Sequence, residues 1–480
     1  MSHWVTVLPE KLRIEADHGE TLLCVLRAAG LILDAPCGGE DRCGKCRVFA
    51  DGVEVLACRT PVDRDMTVTL PQQSDRNILS ACIPLPEAEI REGCCLAVDL
   101  GTTMVAGYLL AADKEPVCAS LRNPQSAFGA DVMSRIRLAV RGQQEILTNS
   151  IRHCLETLTL TLCRKADISP GDIQWICVAG NPAMQQFLLG IPLDNLAKVP
   201  FAPVLTQVKT LPAKEILPLW ENGEFLIVPD ITGFVGADTV ACMLAAEQDT
   251  REEIVLLVDI GTNAEMVLGN RRRRVACSAA AGPALEGALI RFGMGAHTGA
   301  IDHVWLENGE LRYSVIGAVA ARGICGSGLI DAVAAALEQG IVNERGKILT
   351  EDGLIHLTDG IYLTQEDIRQ VQLAKGAIAA GIQLMANHIG ISLSDIQKVF
   401  LAGAFGTYMD PGSACRMGLL PKELKGKITA VGNAALSGAI LLTCDARVPE
   451  RAKKIVETTE TLELGTMPEF PRCFARNMRF

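Results

Sequence analysis

The stretch Leu96-Ala97-Val98-Asp99-Leu100-Gly101-Thr102-Thr103 reads as a buried strand running into an acidic glycine turn, with Met104 to Ala111 as the return strand of a hairpin. The signature comes back far downstream, where the apolar run from Ile254 ends in Asp259-Ile260-Gly261-Thr262-Asn263. One Asp-x-Gly-Thr turn is a weak signal. Two, each fed by a buried strand, predict two related lobes, a duplicated fold and not a short-period solenoid. Helical stretches alternate with short apolar strands at 173–178, 225–229, 266–268 and 399–401, which marks an α/β architecture. At such turns the glycine lets backbone amides approach a phosphate, threonine hydroxyls add hydrogen bonds, and the carboxylate meets the shell of a Mg²⁺ ion. Asp99, Gly101, Thr102 and Thr103 are therefore candidates for one side of a nucleotide site, and Asp259, Gly261, Thr262 and Asn263 for the other.

A third piece, Leu401-Ala402-Gly403-Ala404-Phe405-Gly406, follows the strand at 399–401, and its glycines would let an adenosine lie against the backbone. Together the three pieces resemble the phosphate-1, phosphate-2 and adenosine motifs of the superfamily of acetate and sugar kinases, heat-shock chaperone ATPases and actin, over residues 95–445. The resemblance implies ATP with Mg²⁺ in a cleft between two actin/hexokinase-like lobes, with Gly403, Ala404, Phe405 and Gly406 on the adenosine side. Gly326, in the run Gly323-Ile324-Cys325-Gly326-Ser327-Gly328, opens an apolar helix; a phosphate-facing helix N-terminus and a close helix contact are both open readings. Hydrolysis needs a carboxylate that orients or deprotonates water. Glu265, Glu286 and Asp238 are the three candidates; each could instead be an ordinary charge near a helix start or turn. The Asn181-Pro182 pair, beyond the strand at 173–178, is a plausible cleft-facing loop.

The N-terminal 72 residues differ in character: short alternating strands, one short helix from Thr21 to Ala29, and the loop Cys37-Gly38-Gly39-Glu40-Asp41-Arg42-Cys43-Gly44-Lys45-Cys46. The spacing Cys37-x5-Cys43-x2-Cys46-x11-Cys58 gathers thiols as an iron–sulfur cluster requires, with glycine amides free to face the sulfides. A structural zinc is the alternative, weakened because only one Cys-x-x-Cys knuckle is present. The region resembles the plant-type and adrenodoxin-like [2Fe–2S] ferredoxins, including Gly19-Glu20-Thr21-Leu22-Leu23 ahead of the helix. That implies a small β-grasp, ferredoxin-like α+β domain with Cys37, Cys43, Cys46 and Cys58 as ligands. The third gap is far shorter than in those ferredoxins, and Cys82, more usually spaced from Cys46, is the rival fourth ligand.

The expected organisation is a ferredoxin-like domain (1–72), a linker rich in Gln, Ser and Pro (73–93), lobe I (94–253), and lobe II with a C-terminal helix and tail (254–480). A chain of 480 residues is too long for one core. Net charge is −11, which argues against nucleic acid as a partner. No apolar run approaches the roughly 18 residues a membrane span needs, and no signal peptide opens the chain, so a cytoplasmic protein is expected. The 18 cysteines then read as reduced thiols or ligands, compatible with an anaerobic or strongly reducing cell. Cys82, Cys94 and Cys95 are placed in or at the end of the linker as incidental thiols or aids to electron flow. The run Arg271 to Arg274 reads as a hairpin tip or a docking patch, and the seven histidines, His297 and His303 among them, offer no cobalt-ligand signature.

The order ferredoxin, linker, two-lobed ATPase resembles the reductive activators of corrinoid proteins. The resemblance implies ATP-dependent electron transfer from a [2Fe–2S] cluster to Co(II), giving Co(I), on the corrinoid protein of a methyltransferase system. It also implies an upstream low-potential electron donor, and it admits a homodimer. A cluster near about −400 mV is less reducing than Co(I) formation demands, so the transfer is uphill. Two other readings stay open: ATP-driven donation to a different low-potential enzyme, and a small-molecule kinase with a redox-sensing ferredoxin domain.

Overall fold

The computed structural model describes the chain except residues 1, 9–10, 30, 32, 34, 36–38, 40, 42–43, 71–90, 112–113 and 130, and the side chain of residue 404. The N-terminal unit has strands β1 (Ser2–Leu8), β2 (Leu12–Asp17), β3 (Arg47–Ala50), β4 (Val53–Leu56) and β5 (Met66–Thr69), in the order β2-β1-β5-β3-β4. β1 and β5 run parallel at the centre while the hairpins flank them, which is the β-grasp arrangement. Alternation decides which face is covered: Val5 and Val7 from β1, Val48 from β3 and Val68 from β5 all turn inward. The helix Leu22–Ala28 closes over them with Leu22, Leu23, Val25 and Leu26, each worth about 1.5–3 kcal/mol when buried. Thr21 caps that helix, its Oγ1 accepting the Cys24 N–H at 3.4 Å.

Two six-stranded sheets follow. The first holds β6 (Cys94–Leu100), β7 (Met104–Leu110), β8 (Val117–Arg122), β9 (Ile173–Gly180), β10 (Lys209–Pro212) and β11 (Glu224–Ile227), ordered β10-β11-β9-β6-β7-β8. In the second, β12 (Val255–Ile260), β13 (Ala264–Gly269) and β14 (Arg274–Ala279) form the meander. Side sheets come next: β15 (Ala300–Glu307), β16 (Glu310–Val315) and β17 (Gly323–Ile324), then the hairpin β18 (Ile355–Thr358) and β19 (Ile361–Leu363). β20 (Lys398–Ala402), β21 (Ile428–Gly432) and β22 (Thr459–Thr461) complete the main sheet in the order β21-β20-β12-β13-β14-β22. Each lobe thus repeats one plan: an antiparallel meander whose first strand also pairs in parallel with a later strand, β6 with β9 and β12 with β20. Cys94 and Cys95 belong to β6, not to the linker, and both are buried. Among the described residues no helix is long and apolar enough to cross a membrane.

The two faces of each sheet enter different cores. On β6, Leu96, Val98 and Leu100 face the long helix Gln144–Ala166, while Cys95 and Ala97 face the other way. On β12, Leu256, Val258 and Ile260 enter the core of lobe II, and Val255 and Leu257 turn toward the middle of the molecule. The layer between the sheets is filled by two helices, Ala237–Ala245 and Ala434–Cys444, that cross each other at small residues. At the crossing, a Cβ on Gly438 would stand 1.9 Å from the carbonyl oxygen of Ala241. Gly465, in contrast, faces open space. Gly438→Ala should therefore lower the urea midpoint of the two-lobed unit by an amount worth about 1–3 kcal/mol. Gly465→Ala should stay within about 0.5 kcal/mol of the parent; equal midpoints for the two variants would refute the close crossing.

Candidate nucleotide cleft and cysteine centre

The period-2 sorting that buries Cys95 and Ala97 continues to Asp99, and the face of Val255 and Leu257 continues to Asp259, so both carboxylates end on the face that meets the crossing helices. Their partners are crossed. Asp99 of lobe I accepts a hydrogen bond from Asn433 Nδ2 at 2.8 Å, at the start of helix Ala434–Cys444. Asp259 of lobe II accepts one from Cys242 Sγ at 3.5 Å, on helix Ala237–Ala245.

The first turn is fixed from behind. Asn123 donates to Gly101 O at 2.8 Å, and its own N–H reaches Thr103 O at 2.9 Å. A Cβ on Gly101 would lie 2.6 Å from Met104 O, so only glycine fits. Asn181, N-cap of helix Pro182–Leu189, donates from Nδ2 to Thr102 Oγ1 at 3.2 Å. The fully buried Arg135 donates to Thr102 O at 2.8 Å and to Gly129 O at 3.0 Å. The second turn is closed by Gly261 N–H on Asn263 O at 2.8 Å.

One carboxylate ties the two turns together. Glu286 accepts the hydroxyl of Thr262 at 2.9 Å and that of Thr103 at 3.4 Å, one from each lobe. Glu265 stands opposite Asp259 across the β12–β13 pair and accepts from Ser278 Oγ at 3.0 Å. Asp238, in the first turn of helix Ala237–Ala245, is bonded by the N–H of Thr239 at 2.7 Å. The three candidate carboxylates thus occupy different positions around one cleft, and only Glu286 touches both turns.

Gly403 sits at φ +83°, and a Cβ there would come within 2.6 Å of Asp259 Oδ1. It opens the short helix Gly403–Tyr408, which also carries Ala404, Phe405 and Gly406. The Phe405 ring packs on Gly326, where a Cβ would fall 2.4 Å from the ring and 2.0 Å from Leu285 O. That crowding favours the close-contact reading of Gly326 over a phosphate-facing one.

The cleft is strongly acidic. Burial raises Asp99 and Asp238 to about 7, and burial with neighbouring negative charge holds Glu265 well above the ordinary carboxylate range. Burial likewise raises Asp259 and Glu286. Nearby Asp230, bonded by Gln185 at 2.8 Å, is pushed well up for the same reason. Arg135 stands behind this group, lowered to about 10 by its own burial and drawn partly back by Asp131 and Glu286. Such a cleft suits a cation and phosphates that bring compensating charge. Among the described residues no three His, Cys, Asp or Glu side chains are close enough to hold a metal by themselves; a cation here would be shared with phosphate and water.

At the N-terminal centre, Cys46 precedes β3 and is buried, and Cys58 follows β4 and is half-buried. The Cys58 N–H points at Cys46 Sγ, 3.5 Å away, and Ala57 N–H bonds Cys46 O at 2.8 Å. Cluster thiolates accept backbone N–H groups aimed at their sulfurs, so the pair fits that group. Cys37, Cys43 and the rival Cys82 lie outside the described residues. Elsewhere, Arg271 and Arg272 pair with Glu252 and Arg273 with Glu460, while Arg274 is buried in β14, so the basic run is engaged within the chain. His303 bonds Asp331 at 3.0 Å.

Asn433, Arg135 and Asn123 carry no motif and were reachable only through the fold. The raised carboxyl groups give a testable pH dependence. Asp99 and Asp238 bind protons more tightly folded than unfolded, so their contribution is present near pH 4 and lost as pH rises through about 7. The melting temperature of the nucleotide-free protein should fall between pH 5.5 and 8. Asp99→Asn with Asp238→Asn should make that slope shallower, with Glu265 and Asp230 still contributing; an unchanged slope in the double variant would refute the assignment.

Comparison with known proteins places these features. Three family models match in chain order: the 2Fe-2S iron-sulfur cluster binding domain over residues 5–87, the RACo middle region over 94–251, and the C-terminal domain of RACo, the ASKHA domain, over 253–480. The corrinoid activation enzyme RamQ of Eubacterium limosum is 36% identical over 418 residues, covering 80% of this chain and 70% of that protein. The [Co(II) methylated amine-specific corrinoid protein] reductase of Methanosarcina barkeri is 30% identical over 414 residues, covering 78% and 75%. Among solved structures, the reductive activator for corrinoid, iron-sulfur protein superposes with a TM-score of 0.72 at 25% identity, over 100% of this chain and 98% of that one. A cluster-binding unit ahead of the two RACo regions, with relatives of this likeness along most of their length, makes the chain a member of the family of reductive activators of corrinoid proteins.

Proposed function

We propose that this chain restores an oxidised corrinoid protein from Co(II) to Co(I), using a one-electron carrier in its N-terminal unit and ATP in the cleft between its lobes. The observation that supports it most is the Glu286 carboxylate, held by one threonine hydroxyl from each lobe at the mouth of two matched turns. A small-molecule kinase would share the cleft but would have no use for a cysteine centre in its own domain.

Cys37, Cys43, Cys46 and Cys58 would hold the [2Fe–2S] group, which when bound supplies a single electron at about −400 mV. The residues of the cleft do the remainder. Thr102, Thr103, Thr262 and Asn263 offer hydroxyl, amide and carboxamide groups to phosphate oxygens from opposite sides, and Gly101 and Gly261 let the backbone come close. Asp99 and Asp259 face the same space and would share Mg²⁺ with the phosphates and water. Gly403 leaves room beside Asp259 for the rest of the nucleotide. Glu286 is suited to orient water toward the terminal phosphate, its raised proton affinity bringing it toward the range of a working base. Asn433 and Cys242, each on an interlobe helix, tie the Asp positions to the hinge, so a filled cleft would change how the lobes close and how the partner is gripped.

The decisive experiment mixes the cluster-loaded protein with a chemical reductant and a Co(II) corrinoid protein and follows Co(I) absorbance. Reduction should require Mg-ATP, and Glu286→Gln should slow ATP hydrolysis by about 10²-fold. Co(I) formation that ignores ATP, or a phosphorylated small-molecule product in its place, would overturn the proposal.

A further inference from the structure

Lys45 joins the N-terminal unit to the cleft. Lys45 lies between the candidate ligands Cys43 and Cys46, and its ammonium is received by the carbonyl oxygens of Gly287 and Ile290, each at 3.2 Å, and by that of Gly293. An ammonium has three N–H donors, and three carbonyls converge on this one. They converge because two glycines let the chain fold on itself. Gly287 is at φ +80°, and a Cβ on Gly293 would stand 2.2 Å from Gly287 O. Gly287 is the next residue after Glu286. Pro283 O accepts both Glu286 N–H and Ala288 N–H at 3.1 Å, so these residues form one tight turn with little slack. The carboxylate that bridges the two lobes and the cradle that holds the cysteine loop are therefore parts of the same rigid piece.

We infer that Lys45 is a positioning residue that latches the ferredoxin unit onto the turn carrying Glu286, and that a terminal phosphate in the cleft releases the latch. The inference rests on the reading of the cleft as a nucleotide site. A threonine hydroxyl has one proton to donate. In the described arrangement the Thr103 and Thr262 protons go to Glu286. A phosphate oxygen between the turns takes those donors and repels the carboxylate by like charge. Glu286 then moves, the turn at 283–288 and the cradle move with it as one piece, and the carbonyls of Gly287, Ile290 and Gly293 are carried away from the Lys45 ammonium. The cysteine loop is freed from lobe II in the state in which the cleft is filled, the condition under which it has an acceptor to meet.

The test is hydrogen exchange on the full cluster-loaded chain, with and without Mg-AMPPNP, reading the segments 44–58 and 287–294, while calorimetry reports nucleotide binding independently. In the wild type, nucleotide should speed exchange in both segments by about tenfold. Lys45→Met should show the fast exchange without nucleotide, and nucleotide should add nothing further, although its binding is retained. Gly293→Ala, which spoils the cradle without touching the cysteine loop, should behave as Lys45→Met does and carries the test if that variant fails to hold its cluster. Wild-type exchange in both variants without nucleotide would overturn the latch. Bound nucleotide that leaves wild-type exchange unchanged would overturn the release. Absence of nucleotide binding would sink the reading of the cleft, and the nucleotide-free comparison would still decide the latch.

Discussion

Everything in the two-lobed unit depends on how closely two helices cross between its sheets. The lobe I strand face that meets this layer carries Cys95, Ala97, Cys177 and Ala179, small side chains that let the helices Ala237–Ala245 and Ala434–Cys444 lie near that sheet, while Val255, Leu257, Val267 and Phe400 face the layer from lobe II. Gly438 against the Ala241 backbone brings the helices as near to each other as chains can come. Because side chains alternate along a strand, the face that packs on these helices is also the face on which Asp99 and Asp259 end. Packing thus aims the two acidic turns at one space.

That aim has an electrostatic cost. Five carboxyl groups (Asp99, Asp238, Asp259, Glu265 and Glu286) crowd the cleft, and burial raises every one of them. Arg135 is buried behind the first turn, but its donors go to the Thr102 and Gly129 carbonyls, so it sets backbone geometry more than it neutralises acids. A site with this imbalance is poorly satisfied alone and gains most from a ligand that carries its own cation. The same logic explains why Glu286 rests on two hydroxyls and not on an arginine: a hydroxyl can be handed to a phosphate, whereas a firm ion pair would hold the carboxylate back.

Much of the fold was legible in the sequence because it is written in local patterns. Two apolar strands running into Asp-x-Gly-Thr turns announce a duplicated lobe, and the cysteine spacing with its glycines announces a ferredoxin-type unit, which the family match supports. The turns themselves stand where local reading put them. What was not legible is pairing at long range. Asn433 meets Asp99 across 334 positions of sequence, and nothing about an asparagine before an apolar helix distinguishes that partner from an ordinary N-cap. Arg135 hides likewise, as a basic residue in a helix until burial is known. Glu286, Glu265 and Asp238 could not be ranked from sequence, since all three are acids near a turn or helix start; only the shared contact with Thr103 and Thr262 separates them.

The cysteines show the two kinds of reasoning side by side. Cys95, Cys177, Cys242 and Cys444 line the interlobe layer, where a thiol serves as a small apolar filler. Burial pushes Cys177 up to about 12 and Cys242 well above its ordinary value, so these thiols stay protonated and make poor ligands. Cys46 and Cys58 stand at adjacent strand ends of the small N-terminal domain, Cys46 in its core and Cys58 packed against it, with an amide aimed at the Cys46 sulfur. The buried cysteines of the two lobes are thus packing residues, spread over both lobe cores as well as the interlobe layer, whereas the N-terminal pair stands in the unit that Lys45 ties to the cleft.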